Sequence, residues 1–320
     1  MRRFFVGIVV AGVVVAAVAA CGSSGDSGGA AAGEVDKVKV GVIPIVDVAP
    51  IYLGLQKGFF GSRKIELTME SGQGGAAIVP GVLSGQFQFG FSNITSLLIA
   101  QTKNVPIKVV ANGVASTGKT GADFGGVAVG KDSPIKTAAD LAGKKVAVNT
   151  LKNIGDTATR ESVRKAGGDP AGINFVEMPF ANMPAALASK QVDAVFVVEP
   201  ALSAVTSAGG RVAAWCYVDT APDLTVAAYF TSAKLIADDP DLVKRFTEAI
   251  NESLAYADAH PDEVRAVLGS YTKIDPKTRE SLTLPKWPAE INRASVETLA
   301  KLGAQDGIFT GTPDLGKLLP

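Results

Sequence analysis

The chain has 320 residues with 31 Lys plus Arg against 31 Asp plus Glu, so it lacks the basic surplus with which a nucleic-acid binder displaces counterions from phosphates. Hydrophobic residues make up 47% and charged residues 19% of it, too apolar a mixture for a disordered chain and enough for two lobes of about 100–150 residues each. One histidine, His260, and two cysteines, Cys21 and Cys216, exclude a zinc site built from several His and Cys ligands and a disulfide framework.

Arg2-Arg3 followed by the apolar run Phe4 to Ala20 reads as a secretory signal over residues 1–20. The run is also about long enough to span a bilayer as an uncleaved anchor. Val18-Ala19-Ala20-Cys21-Gly22 resembles a bacterial lipoprotein cleavage box. That resemblance implies cleavage before Cys21, acyl chains on the mature cysteine and a protein anchored by lipid on the extracytoplasmic face of the cell membrane. The Arg pair loosely matches a twin-arginine signal, but its surroundings favour the general secretory route. Residues 21–35 are mostly Gly, Ser and Ala, the composition of a flexible tether. Cys216 lies in the apolar stretch Val212 to Val218 and reads as a buried structural thiol.

Along the body, Lys37–Pro44 alternates and then turns apolar, as a strand entering a sheet does. Ala49–Phe60 reads as a helix, Lys64–Glu70 as a strand, Gly75–Leu83 as a helix and Gln86–Phe91 as a strand. A helix over Ile94–Lys103 and a strand over Pro106–Ala111 follow. Strands alternating with helices at this spacing predict a mostly parallel sheet covered on both faces. The pattern then recurs: strand 145–149, helix 155–166, strand 174–178, helix 184–189 and strand 193–198. Ser84-Gly-Gln86 and Ser189-Lys-Gln191 stand at a common offset before Phe91 and Phe196, which fits two lobes of like topology.

From Thr225 the character changes. Thr225–Phe230 is a strand, and then helices dominate. Asp239 caps and Pro240 opens a helix reaching Ala259, with Leu242, Phe246, Ala249, Ile250 and Leu254 as its apolar stripe. Shorter helices follow at 262–268, 276–281 and 289–302. This helical tail is most simply packed back on the first lobe. Lobe 1 is then 36–120 with 225–320, lobe 2 is 121–224, and the chain crosses near 114–126 and 218–226, segments rich in Gly, Thr, Ser, Pro and Asp.

Val40-Gly-Val-Ile-Pro44, Ala49-Pro-Ile-Tyr-Leu-Gly54 and Lys57-Gly-Phe-Phe60, with Ser84-Gly-Gln86, Asp193-Ala-Val-Phe196 and Glu199-Pro200, resemble the substrate-binding proteins of ABC importers. The branch they are most similar to takes up nitrate, sulfonates and taurine and has thiamine-pyrimidine relatives. The resemblance covers most of residues 37–260. It implies an α/β, two-lobed periplasmic-binding-protein fold of type II with two crossovers, which closes on a solute in the cleft. It also implies an ABC permease and its ATPase subunits as partners, a monomeric state, no cofactor and no catalysis. Two departures stand out. Gln88 replaces a common Asp whose second-lobe counterpart, Asp193, is kept, which points to strand–turn hydrogen bonding. The loop Pro44 to Pro50 does not match the taurine or nitrate versions, which leaves the solute open.

In open α/β sheets ligands sit beyond the carboxyl ends of the strands. The strand-end loops offer Asp47, Gly74, Gly75, Ser92, Asn93 and Thr95 in the first lobe. The second offers Thr150, Asn153, Phe180, Asn182 and Glu199. Several lead into helix starts, whose unpaired N–H groups hold an anion without a formal cation, and Gly74-Gly75 lets backbone approach closely. Lys152 is the only Lys in these loops and there is no Arg, which disfavours multiply charged anions and leaves a single sulfonate or carboxylate. Asp47 and Glu199 alternatively meet an amino group or an aminopyrimidine, with Tyr52 and Phe180 covering a flat or apolar part. Each has a structural alternative: Asp47 as a helix cap, Tyr52 as core, Glu199-Pro200 as a solvated turn, and Asn93, Thr95 and Asn182 as turn formers.

An enzyme is the competing class, since the same broad fold hosts enzymes of menaquinone and pyrimidine biosynthesis. The pyrimidine-forming ones need His and Cys groups that this chain lacks, and His260 sits at a predicted helix end. Ser71-Gly-Gln-Gly-Gly75 lacks the lysine of a P-loop and the spacing of a dinucleotide fingerprint. A surface adhesion or sensor module is the third class.

Overall fold

The computed structural model describes residues 35–320. The proposed signal, Cys21 and nearly all of the tether lie outside the described residues. Ten strands form two sheets among the described residues. The first takes β1 (Asp36–Val42), β2 (Ile65–Ser71), β3 (Phe89–Asn93), β4 (Ile107–Ala115) and β10 (Thr225–Ser232) in spatial order β2-β1-β3-β10-β4. The second takes β5 (Gly125–Val129), β6 (Lys145–Val148), β7 (Asn174–Glu177), β8 (Ala194–Val198) and β9 (Arg211–Ala214) in order β7-β6-β8-β5-β9. These are the two lobes expected of the fold class.

Helices α1 (Ala49–Gln56), α2 (Gly75–Leu83) and α3 (Ile94–Thr102) connect the first sheet. Helices α4 (Ile154–Lys165), α5 (Met183–Ala188), α6 (Ala201–Ser207) and α7 (Cys216–Thr220) serve the second. After β10 come α8 (Ala233–Asp238), α9 (Pro240–Ala259), α10 (Pro261–Tyr271), α11 (Pro276–Ser281), α12 (Arg293–Gln305) and α13 (Leu315–Leu318). The apolar stripe of α9 is buried as its spacing predicts. Its Phe246 stacks on Phe89 of β3 at 3.7 Å. Asp239 accepts from the Leu242 N–H at 2.9 Å, the cap that starts α9. A Cβ at Gly54 of α1 would stand 1.9 Å from Ser253 Oγ of α9, so glycine is what lets these helices touch.

The sheets are mostly parallel with one inverted strand each. β10 runs antiparallel to β3 and β4, and β5 runs antiparallel to β8 and β9. Both inverted strands are the ones the chain enters on crossing from the opposite sheet. Within residues 114–126 the chain leaves the first sheet at the end of β4 and enters the second at the start of β5. Gly125-Gly126 reads as linker but answers to packing. A Cβ at Gly126 would lie 2.5 Å from the Ala214 carbonyl oxygen, and one at Gly125 would lie 2.7 Å from the Tyr217 ring. No element was expected at α6, β9 or α7, and the third strand starts at Phe89 instead of Gln86.

The internal echo has a structural basis. β3 and β8 are equivalent in their sheets, each following a tight turn with positive φ, 78° at Gly85 and 58° at Lys190. Gln88 Oε1 accepts from the Lys39 N–H at 2.8 Å, and Asp193 Oδ2 accepts from the Lys145 N–H at 2.8 Å. Glutamine therefore preserves the strand–turn bond that aspartate makes in the other lobe. One crossover is held where Asp123 accepts from Ser116 Oγ at 2.7 Å and from the Thr117 N–H at 2.9 Å.

Candidate functional site

The carboxyl ends of the parallel strands of both sheets face one another across a cleft. From the first lobe Ile43, Ile45 and Asp47 follow β1, while Phe91 and Asn93 close β3. From the second come Asn149 after β6, Ile154 opening α4, Phe180 after β7, Phe196 of β8 and Tyr217 of α7. The cavity between them measures ≈ 20 Å³, roughly the room one water needs.

Direct bonds hold the two faces together. Asn153 Nδ2 donates to Ser96 Oγ at 2.9 Å. The Val46 N–H donates to the Glu199 carbonyl at 3.1 Å, and the Thr283 N–H to Glu199 Oε1 at 3.3 Å. A Cβ at Gly74 would meet Thr150 Oγ1 at 2.7 Å and Asn149 Nδ2 at 3.2 Å, so the first lobe's glycine loop rests on the second lobe's strand end. Arg164 of α4 clasps Asp306, which follows α12, through two bonds of 2.8 and 3.3 Å, and Glu161 sits 2.9 Å from the same guanidinium.

Asp47, Asn93 and Phe180 line the cavity, and Gly74, Thr150 and Asn153 adjoin it across the lobe contact. Gly75 packs on Ser92, whose Oγ would lie 1.9 Å from a Cβ there, and Ser92 is buried. Asn93 caps α3 by accepting from the Ser96 N–H at 2.9 Å. Thr95 is buried with no hydrogen-bond partner for its Oγ1 among the described residues. Tyr52 does not reach the cavity lining; it stacks on Tyr271 at 3.9 Å, the core alternative. Asn182 is exposed and also outside the lining. Glu199 is no solvated turn. It is buried, and its carboxylate accepts from the Ser203 N–H and Oγ, each at 2.9 Å, as well as from Thr283. Burial moves its pKa upward, against those donors.

Asp47 differs. It is buried, its Oδ1 has no hydrogen-bond partner among the described residues, and burial pushes its carboxyl up to about 7. Neither Lys nor Arg joins the lining, so the cavity's fixed charge is this one carboxylate. The loop bearing it is clamped by the C-terminal helical region. Trp287 Nε1 donates to the Asp47 carbonyl at 3.1 Å, and the Tyr271 hydroxyl donates to the Ile45 carbonyl at 3.0 Å. Neither clamp was foreseen, because a tail packed on lobe 1 carries no sign of which loop it will touch. Tyr217 was passed over for a related reason: its apolar surroundings, Val212 to Val218, signal core only. Cys216 beside it is fully buried with its thiol pushed up to about 12, which suits a structural thiol. His260 ends α9, stacked on Tyr256 at 3.8 Å.

Two α/β lobes whose strand ends close over a mixed polar and aromatic cavity make the architecture of a solute-binding protein. The chain belongs to the NMT1/THI5-like family, whose model matches residues 45–264. A binding protein of Brucella abortus is 23% identical over 289 residues, covering 85% of this chain and 86% of that protein. The zinc-bound ligand-binding component of an ABC-type import system from Staphylococcus aureus superposes with a TM-score of 0.76 at 16% identity, covering 89% of this chain and 96% of that one. The alkanesulfonate-binding protein SsuA from Xanthomonas axonopodis pv. citri, bound to MOPS, superposes at 0.74 with 17% identity, covering 90% and 100%. Among the described residues no group of three or more His, Cys, Asp or Glu side chains is placed to hold a metal. No helix there is long and apolar enough to cross a membrane.

Proposed function

We propose that this chain is the solute-binding component of an ABC importer, delivering a small organic solute of the sulfonate, taurine or nitrate kind to permease and ATPase subunits. The observation that carries this is the cleft itself: strand ends from two sheets converge on one cavity, with polar groups from both lobes at its wall. A solute touching both lobes binds the closed form more tightly than the open one, which is what couples binding to closure. The start of α2 supports an oxyanion group. Its N-cap is Gly74, with no side-chain cap bond, so its first N–H groups stay available next to Asn149 and Thr150. By contrast, α3 and α4 are capped by their own Asn93 and Asn153.

A flat heterocyclic or aromatic-acid solute is the second reading, favoured by Phe91, Phe180, Phe196 and Tyr217 around the cavity. Lobe 1 is taken as 36–120 with 225–320 and lobe 2 as 121–224, a division that the strand membership of the two sheets supports. The mature protein is proposed to be a monomer held outside the cell membrane by lipid on Cys21. Calorimetric titration of the purified protein with alkanesulfonates, taurine, nitrate and aminopyrimidines is expected to find one class bound in the micromolar range, roughly 8 kcal/mol. Conversion of a bound compound into product would overturn the transport reading.

A further inference from the structure

Resting on the solute-binding reading, we propose that the solute presents a nitrogen-bound hydrogen, as an ammonium or a ring amino group, to the carboxylate of Asp47. A buried carboxylate normally has its lone pairs filled, and Glu199 shows how this fold does it, with Ser203 and Thr283 as donors. Asp47 is 3% exposed, lines the cavity, and has no donor for its Oδ1 among the described residues. Capping does not explain it. The 3-10 turn Val46–Val48 and α1 have Ile45 and Val48 as N-caps, and neither start receives a side-chain cap bond. A structural counter-charge does not explain it either. The ionisable groups that bear on it are Asp123, Tyr217, Tyr229 and Tyr271, and none of them is a cation. The Trp287 and Tyr271 clamps fix the loop's backbone, which keeps the side chain on the cavity wall. A solute N–H supplies the missing donor, and burial makes such a charge-assisted bond strong.

The test uses matched pairs: taurine with ethanesulfonate, β-alanine with propionate, and 4-aminopyrimidine with pyrimidine. Calorimetry at pH 8 is expected to find an amino member bound at least about tenfold more tightly than its amine-free partner, and Asp47→Asn to weaken that member about a hundredfold while the anionic amine-free partners, relieved of a like charge, are not weakened. The wild-type protein gives a second readout that needs no variant. Taurine keeps its ammonium from pH 8 to pH 5 while Asp47, held at about 7, takes up a proton, so taurine affinity should fall across that range. Equal affinity within every pair, or binding confined to amine-free members, sinks the inference and leaves the solute-binding reading standing. Failure of the whole panel to bind counts against both.

Discussion

Stability of the solute-free protein is expected to decline between pH 4 and pH 7, and Asp47→Asn to flatten that decline. Asp47 has its pKa raised from 3.8 to about 7, first by desolvation and further by the charge of Asp123. A raised acid binds its proton more tightly folded than unfolded. Its neutral form is the well-tolerated one, and the folded state loses ground as pH climbs from the unfolded pKa to the folded one. At about 1.36 kcal/mol per pKa unit, the shift in Asp47 amounts to about 4 kcal/mol, fully lost above pH 7. Asp156, raised from 3.8 to about 6, also mainly by desolvation, adds to the same slope and is untouched by the substitution. Urea unfolding at pH 4, 5.5 and 8 should show variant and wild type close together at pH 4, with the variant increasingly ahead toward pH 8. A stability difference that stays constant with pH would show that Asp47 is not the desolvated acid described.

The second large effect lies at the clasp between lobes. Arg164→Met strands Asp306, whose side chain is 5% exposed, and Glu161 at 15%. Removing one partner of a buried pair is costlier than replacing both, because a charge is left without solvent or counter-ion. The single substitution should cost roughly 3 kcal/mol, read from urea midpoints. Adding Asp306→Leu should recover most of that, a coupling between sites that touch. Because the pair joins α4, whose first residue lines the cavity, to the end of α12, Arg164→Met should also weaken solute binding. If the double variant is as unstable as the sum of the singles, the clasp is not acting as a pair.

Much of the architecture was legible because periodicity and punctuation agree. Gly75–Leu83 and Pro240–Ala259 were bounded by glycine, aspartate and proline at the ends where the helices in fact begin. The Gln88 and Asp193 equivalence could be read from the shared offset before Phe91 and Phe196. The inverted strands could not, since an apolar run does not encode its direction. β5 was hidden by Gly125-Gly126, whose smallness serves contact with Ala214 and Tyr217.

In the cleft, strand-end reasoning brought forward Asp47, Asn93, Phe180, Gly74 and Thr150. It could not tell that Glu199 would find a donor in Thr283, 84 residues away, while Asp47 Oδ1 would find none, because such a separation carries no local signal. Tyr271 and Trp287 were invisible for the same reason.

Two lobes that close upon a solute make a more compact particle when the solute is bound. Small-angle X-ray scattering of the protein alone and saturated with a compound that calorimetry shows to bind tests it most directly. A smaller radius of gyration is expected on saturation, with the opened population lost. Superimposable curves at full saturation would contradict it.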